Sequence, residues 1–439
     1  MHNIIMWGKS MSAGTSITHP GYFACFLGTA FVAMLPACGP SEDAAPTEPQ
    51  AAQPEAQETA PFEASAHARE LAMSSIIVDT HIDVPYRLDE EWADVSQATD
   101  GGDFDYPRAV AGGLNAPFMS IYTPSELQKE GGSKALAEKL IDMVNEIVAE
   151  SPDRFAIAYS SLDIEKQFTE GLISLPMGME NGAPVESDLS NVAHFYDRGV
   201  RYITLTHGTS NLISDSSYDD NRQWGGLSEF GVEVVKEMNR LGIMVDVSHI
   251  SDEAFWDVME VTKAPAIASH SSARHFTPGF ERNMADDMIV RLAENGGLIM
   301  INYGSDFLTK EAFDYSHAKR EAFAKHLEET GLEDSEEVRR QFGEQYAAEH
   351  GPYPYATLDQ TLDHFDHVIQ LTSVDHVGIG SDYDGVGDSL PVGLKDVSSY
   401  PNLVEGLLRR GYKDADVRKI LGENLLRVWR EVENVARSM

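Results

Sequence analysis

The chain has 439 residues and a formal charge of −38 at pH 7, from 71 acidic against 33 basic side chains. So acidic a surface repels phosphate backbones, which argues against a nucleic-acid partner and against adsorption to anionic lipid through basic patches. An apolar fraction of 42% with 9% aromatics supports a substantial core and excludes a chain disordered throughout.

The first 38 residues read as a lipoprotein signal segment. Residues 22–35 form an apolar run too short to span a bilayer but suited to a signal h-region, preceded by Lys9. The run ends in Leu35-Pro36-Ala37-Cys38-Gly39, which resembles a bacterial lipobox with Cys38 as the lipidated residue. Residues 39–63 are rich in Ala, Pro, Glu and Gln and read as a flexible acidic tether. The expected location is the bacterial cell envelope, lipid-anchored and facing the periplasm or exterior.

From residue 64 to 439 short apolar runs alternate with amphipathic stretches. Strands are predicted at 76–78, 116–121, 172–177, 202–206, 243–247, 266–269, 298–301 and 377–379, with helices at 133–150, 232–240, 252–261 and 286–295 among those between them. Eight strands alternating with helices predict an α/β fold, a (β/α)₈ TIM-type barrel with parallel strands. No G-x-G-x-x-G turn follows the first strand, which argues against a doubly wound sheet. Residues 311–350 read as a helical insertion between strands seven and eight. Residues 405–421 and 424–436 read as extra C-terminal helices packed on the outside of the barrel.

The polar residues recur at one place in this pattern. His81 and Asp83 fall just past strand one, Glu180 past strand three, His207 past four, His249 past five, His270 past six, and Asp382 and Asp384 past eight. In a parallel barrel those strand ends open on one face, where such barrels place their active sites. The other eleven of fifteen histidines carry no such pattern. Both cysteines, Cys25 and Cys38, precede the domain, so any metal there is held by His, Asp or Glu. Imidazole with carboxylate suits Zn²⁺, with Mn²⁺, Fe²⁺ or Co²⁺ as alternatives. Five ligands exceed the need of one tetrahedral zinc with an open position. Two Zn²⁺ ions use them economically, His81 and Asp83 on one, His249 and His270 on the other, and Glu180 as the bridge. A hydroxide between the ions then predicts metal-assisted hydrolysis. Asp79 is expected to hold a ligand imidazole, Ser271 and Ser272 to orient the loop after strand six, and Asn302 and Tyr303 to line the pocket.

The same residues carry a family resemblance. The stretches VDTHIDVP at 78–85, GMENG at 178–182, RYITLTHGTSN at 201–211, VDVSHIS at 245–251, ASHSSAR at 268–274, ERN at 281–283 and HVGIGSDYDG at 376–385 resemble the membrane (renal) dipeptidases of the amidohydrolase superfamily. DVSSYPNLVEGLLRRGY at 396–412 and ILGENLLRVWREV at 420–432 match that family's C-terminal helices, so the likeness runs from about residue 70 to 435. The resemblance implies a two-zinc dipeptidase in which His207 binds substrate and stabilises the oxyanion, Arg282 grips the substrate carboxylate and Asp382 moves the proton. Asp384 is an alternative to Asp382. Asn181-Gly182-Ala183 and Gly208-Thr209 depart from the family's usual residues and bear on the pocket wall. The expected partners are dipeptide substrates, with the stereochemistry of the C-terminal residue left open, and the membrane through the lipid. Relatives are often homodimers. Hydrolysis of a lactone, a β-lactam or an N-acyl amino acid is the alternative activity, and a non-catalytic surface-binding lipoprotein the remote one.

Overall fold

The computed structural model describes residues 62–439. The signal segment, Cys38 and nearly all of the tether lie outside the described residues. Eight parallel strands close into a barrel: β1 (Ile77–Ile82), β2 (Leu114–Tyr122), β3 (Met177–Glu180), β4 (Val200–Thr204), β5 (Met244–Asp246), β6 (Ile267–Ala268), β7 (Leu298–Ile301) and β8 (Val377–Ile379). Each strand pairs with its sequence neighbours, and β8 returns to β1 with Asp79 opposite Ile379. This is the (β/α)₈ barrel that the alternation predicts. The strands are buried nearly throughout, because helices cover the outer face and side chains fill the inner one.

The connecting helices begin and end where their sequences dictate. Ser228 caps Glu229–Leu241 by accepting from the Gly231 amide, and Gly242, at φ +85°, terminates it in the left-handed region that costs glycine least. Thr357 and Gln360 form a reciprocal capping box at the start of Leu358–Leu371.

Two expectations are corrected. The apolar run at 172–177 is not one strand: Ile173–Leu175 pairs with Phe155–Ile157 in a separate two-stranded sheet, and after Pro176 the barrel strand β3 begins at Met177. Periodicity cannot divide two consecutive buried strands. Glu180 is thus the last residue of β3. Separately, His81 lies inside β1, not just past it. The insertion after β7 is two helices, Lys310–Thr330 and Glu336–His350. Its Phe313 ring lies 4.5 Å from Phe280 in the loop after β6.

The last helix, Asn424–Ser438, packs on the outside of the barrel as expected, and the side it covers is the barrel's amino-terminal end. Leu425, Leu426, Val428, Trp429 and Val432 pack against Val78, Ala116, Phe118, Tyr202, Met244, Ile267, Leu298 and Met300, residues mostly from the first halves of the strands. Trp429 lies 5.4 Å from the Phe118 ring, and Phe118 lies 5.5 Å from Tyr202. The π-helical turn Lys419–Glu423 delivers the chain there. Gly422 sits against the Ile76 carbonyl, where a Cβ would come within 2.4 Å.

Candidate active site

At the opposite, carboxyl end of the barrel the inward-facing groups are polar. Glu180 is the centre. Its Oε1 lies 3.0 Å from His249 Nε2, 3.2 Å from His270 Nε2 and 3.4 Å from His207 Nε2, while its Oε2 lies 3.5 Å from His81 Nε2. Asp83 Oδ2 stands 3.5 Å from the same His81 nitrogen. Three overlapping groups could each hold a metal: His81 with Glu180 and His270, Glu180 with His207 and His249, and His81 with Asp83 and Asp382. The fold thus gathers His81, Asp83, Glu180, His207, His249, His270 and Asp382 from six strand ends.

The donor chemistry fits divalent ions. His81 Nε2 and Asp83 Oδ1 are buried without a hydrogen-bond partner among the described residues, a cost that native interiors rarely carry unless another group satisfies them. Burial, reinforced by Arg282, holds His249 and His270 well below the ordinary imidazole range, which keeps their lone pairs free for a metal. Burial alone would raise Glu180, but His207, His81, His249 and His270 outweigh it and hold the carboxylate well below its usual range.

A further layer of hydrogen bonds aims these ligands. His81 Nδ1 is bonded to the Tyr202 hydroxyl at 2.8 Å. His270 Nδ1 is bonded to Ser269 Oγ at 2.7 Å, and that hydroxyl donates to Asp246 Oδ2 at 2.6 Å. Fixing one ring nitrogen directs the other at the centre. Asp79, expected to hold an imidazole, instead accepts from the backbone amides of His81 and Ser381 at 3.1 and 3.0 Å, and from the Tyr400 hydroxyl. Asp246 repeats the device, accepting from the amides of Ser248 and Ser269 at 3.0 and 2.8 Å. Two buried carboxylates therefore lock adjacent strand ends together.

Backbone conformation is unusual here too. Asn181, His249, Asp382 and Asp384 have φ between 64° and 80°, a region that non-glycine residues seldom occupy and that concentrates at functional sites. Gly385 follows: a Cβ there would stand 2.2 Å from Asp83 Oδ2 and 2.3 Å from Asp382 Oδ1.

Asp382 and Asp384 are separated by their surroundings. Asp382 receives Asn302 Nδ2 on Oδ2 at 2.7 Å, and burial with the nearby Asp83 and Glu180 pushes it up to about 7. Asp384 turns away, accepting the Asp103 amide at 2.6 Å and pairing with Arg87 Nε at 3.3 Å. Tyr303 is fully buried with its ring edge-on to Tyr383, so it does not line the pocket. Arg282 is 3% exposed; its guanidinium donates to Ser271 Oγ and the His270 carbonyl, both at 2.7 Å, and lies over the Phe307 ring. Among the described residues no carboxylate pairs with it. Ser272 donates its amide to Asn283 Oδ1 at 3.0 Å and, with Ser271, shapes this loop.

Residues 65–439 match the family model for membrane dipeptidase, peptidase family M19. The chain belongs to this family. This M19 chain is 31% identical over 390 residues to an uncharacterized dipeptidase of Schizosaccharomyces pombe, covering 84% of the chain and 83% of that protein. The M19 barrel superposes on the probable dipeptidase PvdM from Pseudomonas aeruginosa with a TM-score of 0.71 at 28% identity, covering 84% of this chain and 98% of that one. A Rhodobacter sphaeroides metallo peptidase, solved with a phosphinate mimic of L-Ala-D-Ala, shares the fold at 23% identity with a TM-score of 0.67, over 82% and 99% of the two chains. The protein is thus an enzyme of the M19 metallo-dipeptidase family with a His/Glu metal-binding cluster.

Proposed function

We propose that the enzyme is a binuclear zinc dipeptidase, held at the outer face of a bacterial membrane by a lipid on Cys38. The observation that carries the two-ion reading is the orientation of Glu180, whose two oxygens face different histidine groups. His81 and Asp83 hold one ion, His249 and His270 the other, and Glu180 serves both. Bound ions of this kind polarise a scissile carbonyl and supply a water-derived nucleophile at neutral pH. The chain's own groups do the rest. His207, partly exposed beside Glu180, donates to the oxyanion, where one lost donor typically costs ~10²–10³ in rate. Asp382, aimed by Asn302, takes a proton and returns it to the leaving amine. Arg282, buried and with no acidic partner among the described residues, receives the substrate's α-carboxylate. That last contact restricts the enzyme to peptides whose C-terminus lies one residue from the scissile bond.

Metal analysis of the purified protein beside a substrate panel tests this reading. The expected result is two zinc ions per chain and hydrolysis of free dipeptides with L or D C-terminal residues, with C-terminal amides cleaved at least roughly 10²-fold more slowly. Turnover of lactones, β-lactams or N-acyl amino acids in preference to dipeptides overturns the substrate assignment and leaves the metal centre standing. Labelling of the full chain with a radioactive fatty acid, lost in Cys38→Ser, tests the anchor. No helix among the described residues is long and apolar enough to cross a membrane.

A further inference from the structure

Away from the barrel mouth, three side chains from distant parts of the sequence meet on the outer wall. His275 lies in the 3₁₀ turn Arg274–Phe276 after β6, Asp286 opens the helix Asp286–Glu294, and His367 lies on Leu358–Leu371. The rings of His275 and His367 stack with centroids 4.4 Å apart and planes 24° from parallel. His367 Nε2 stands 2.8 Å from Asp286 Oδ1. One donor atom of each residue lies within 4.8 Å of the other two, and His275 and Asp286 are exposed. From these positions we infer that His275, Asp286 and His367 form a separate surface site for a divalent transition ion, of the Zn²⁺, Ni²⁺ or Cu²⁺ class, which fastens the loop after β6 to the outer helix.

The donor set selects that class of ion. Two imidazoles with one carboxylate suit borderline metals, whereas Mg²⁺ and Ca²⁺ demand shells of oxygen. Ligands about 2.1 Å from a shared ion stand up to ~4 Å apart, so exposed side chains need to close by less than about 1 Å. The electrostatics favour an ion as well. One doubly charged ion would satisfy an imidazole lone pair from each ring and the carboxylate at once. A hydrogen bond between His367 and Asp286 accounts for that pair alone; it does not account for the His275 ring laid against it with a donor in reach. Asp363 and Asp366 line the same depression, of about 290 Å³, but Arg410 engages both, at 2.8 and 2.5 Å. They add to the local field and are not ligands.

The location gives the site a consequence. His275 and Asp286 bracket the segment that carries Arg282 and Asn283. One turn before His367, His364 already accepts the Ala273 amide at 3.1 Å and bonds the Leu308 carbonyl at 3.0 Å. An ion at the three-residue site would tie down both ends of that segment, and ligation of the folded state alone stabilises it by mass action.

The test uses the full chain with the metals of its active centre in place, and Ni²⁺ as the probe. Wild type should take up one equivalent of Ni²⁺ beyond its resident metal, with Tm rising by a few degrees. In His275→Ala and in His367→Ala the affinity for that equivalent should fall at least tenfold and the rise in Tm should vanish. Asp286→Asn should show a smaller loss of the same kind. Cu²⁺ bound at this equivalent should give an electron paramagnetic resonance pattern of two imidazole nitrogens in wild type, reduced to one in each histidine variant. Equal Ni²⁺ uptake in wild type and both histidine variants, or a Cu²⁺ spectrum unchanged by them, overturns the proposal. None of these readouts depends on turnover of a dipeptide, so the outcome stands apart from the reading of the active centre.

Discussion

At its amino-terminal end the barrel is filled by Val78, Phe118, Tyr202 and Met300 against Trp429 of the closing helix; at its carboxyl end it presents Glu180, His81, His249 and His270. The first region is held mainly by burial of apolar side chains. The second carries unpartnered buried donors, left-handed backbone at four polar residues, and two buried carboxylates that clamp strand ends. The contrast separates what stabilises the fold from what the fold is used for. A change at one end should therefore leave the property governed by the other largely intact.

The largest effect is expected at the polar end. Glu180→Gln keeps the shape but removes the charge that faces both histidine groups. Activity should fall by at least roughly 10³-fold, about 4 kcal/mol of lost transition-state stabilisation, with metal content below wild type. Inductively coupled plasma mass spectrometry and kcat/KM on a dipeptide measure the two together. A Gln variant that keeps its metal and its rate would remove Glu180 from the centre of the site.

The apolar end offers the converse. Trp429→Ala opens a cavity beneath Phe118 and should cost about 3–5 kcal/mol in urea unfolding. The folded fraction should keep kcat/KM within about twofold, since surplus stability can fall without touching the site. If activity collapsed while the protein stayed folded, the two ends would be coupled more tightly than this division allows.

Acid should sharpen the same comparison, because only the polar end and its supports titrate. His364 is buried and held down to about 4 by burial, with Ala273 and Leu308 bonded to its neutral ring. A histidine depressed below its unfolded value of about 6.5 favours the fold above that value. The stability it contributes is lost as pH falls from about 6.5 to about 4, at up to ~1.4 kcal/mol per pH unit. Thermal unfolding at pH 7, 6 and 5 should show a steeper fall for wild type than for His364→Gln. Equal slopes would mean that the ring takes up its proton without leaving its two partners.

How much of this was legible beforehand follows from what each signal encodes. The barrel was readable because eight apolar runs alternate with helical stretches, and the convergence of His81, Glu180, His207, His249, His270 and Asp382 followed from their common place at strand ends. The division of 172–177 into two strands was not readable, since both halves are buried and only Pro176 marks the break. Which part of the barrel the closing helix covers was not readable, because an amphipathic face specifies that something is covered, not which end of the barrel it covers. Tyr202 and Asp246 escaped notice because each lies within a strand, where a polar atom reads as an interruption of the core until its partner is known. His275 and His367 were passed over for a similar reason: ninety-two positions separate them and no strand end marks either.

Tyr202 belongs to both regions, and this makes it the place where the division is most open to test. Its ring packs on Phe118 in the apolar cluster, while its hydroxyl bonds His81 Nδ1. Gly178 on the neighbouring strand leaves room for that ring, since a Cβ there would come within about 2 Å of it. Tyr202→Phe keeps the packing and deletes only the hydroxyl. Stability should change by no more than about 1 kcal/mol, one net hydrogen bond. Metal affinity or activity should drop about 10–100-fold, the usual effect of freeing a ligand imidazole from the group that orients it. Gly178→Ala, which displaces the whole ring, should lower both stability and activity. The pair of variants distinguishes a hydroxyl that aims His81 from a ring that merely fills the barrel: in the second case Tyr202→Phe is silent and only Gly178→Ala is felt.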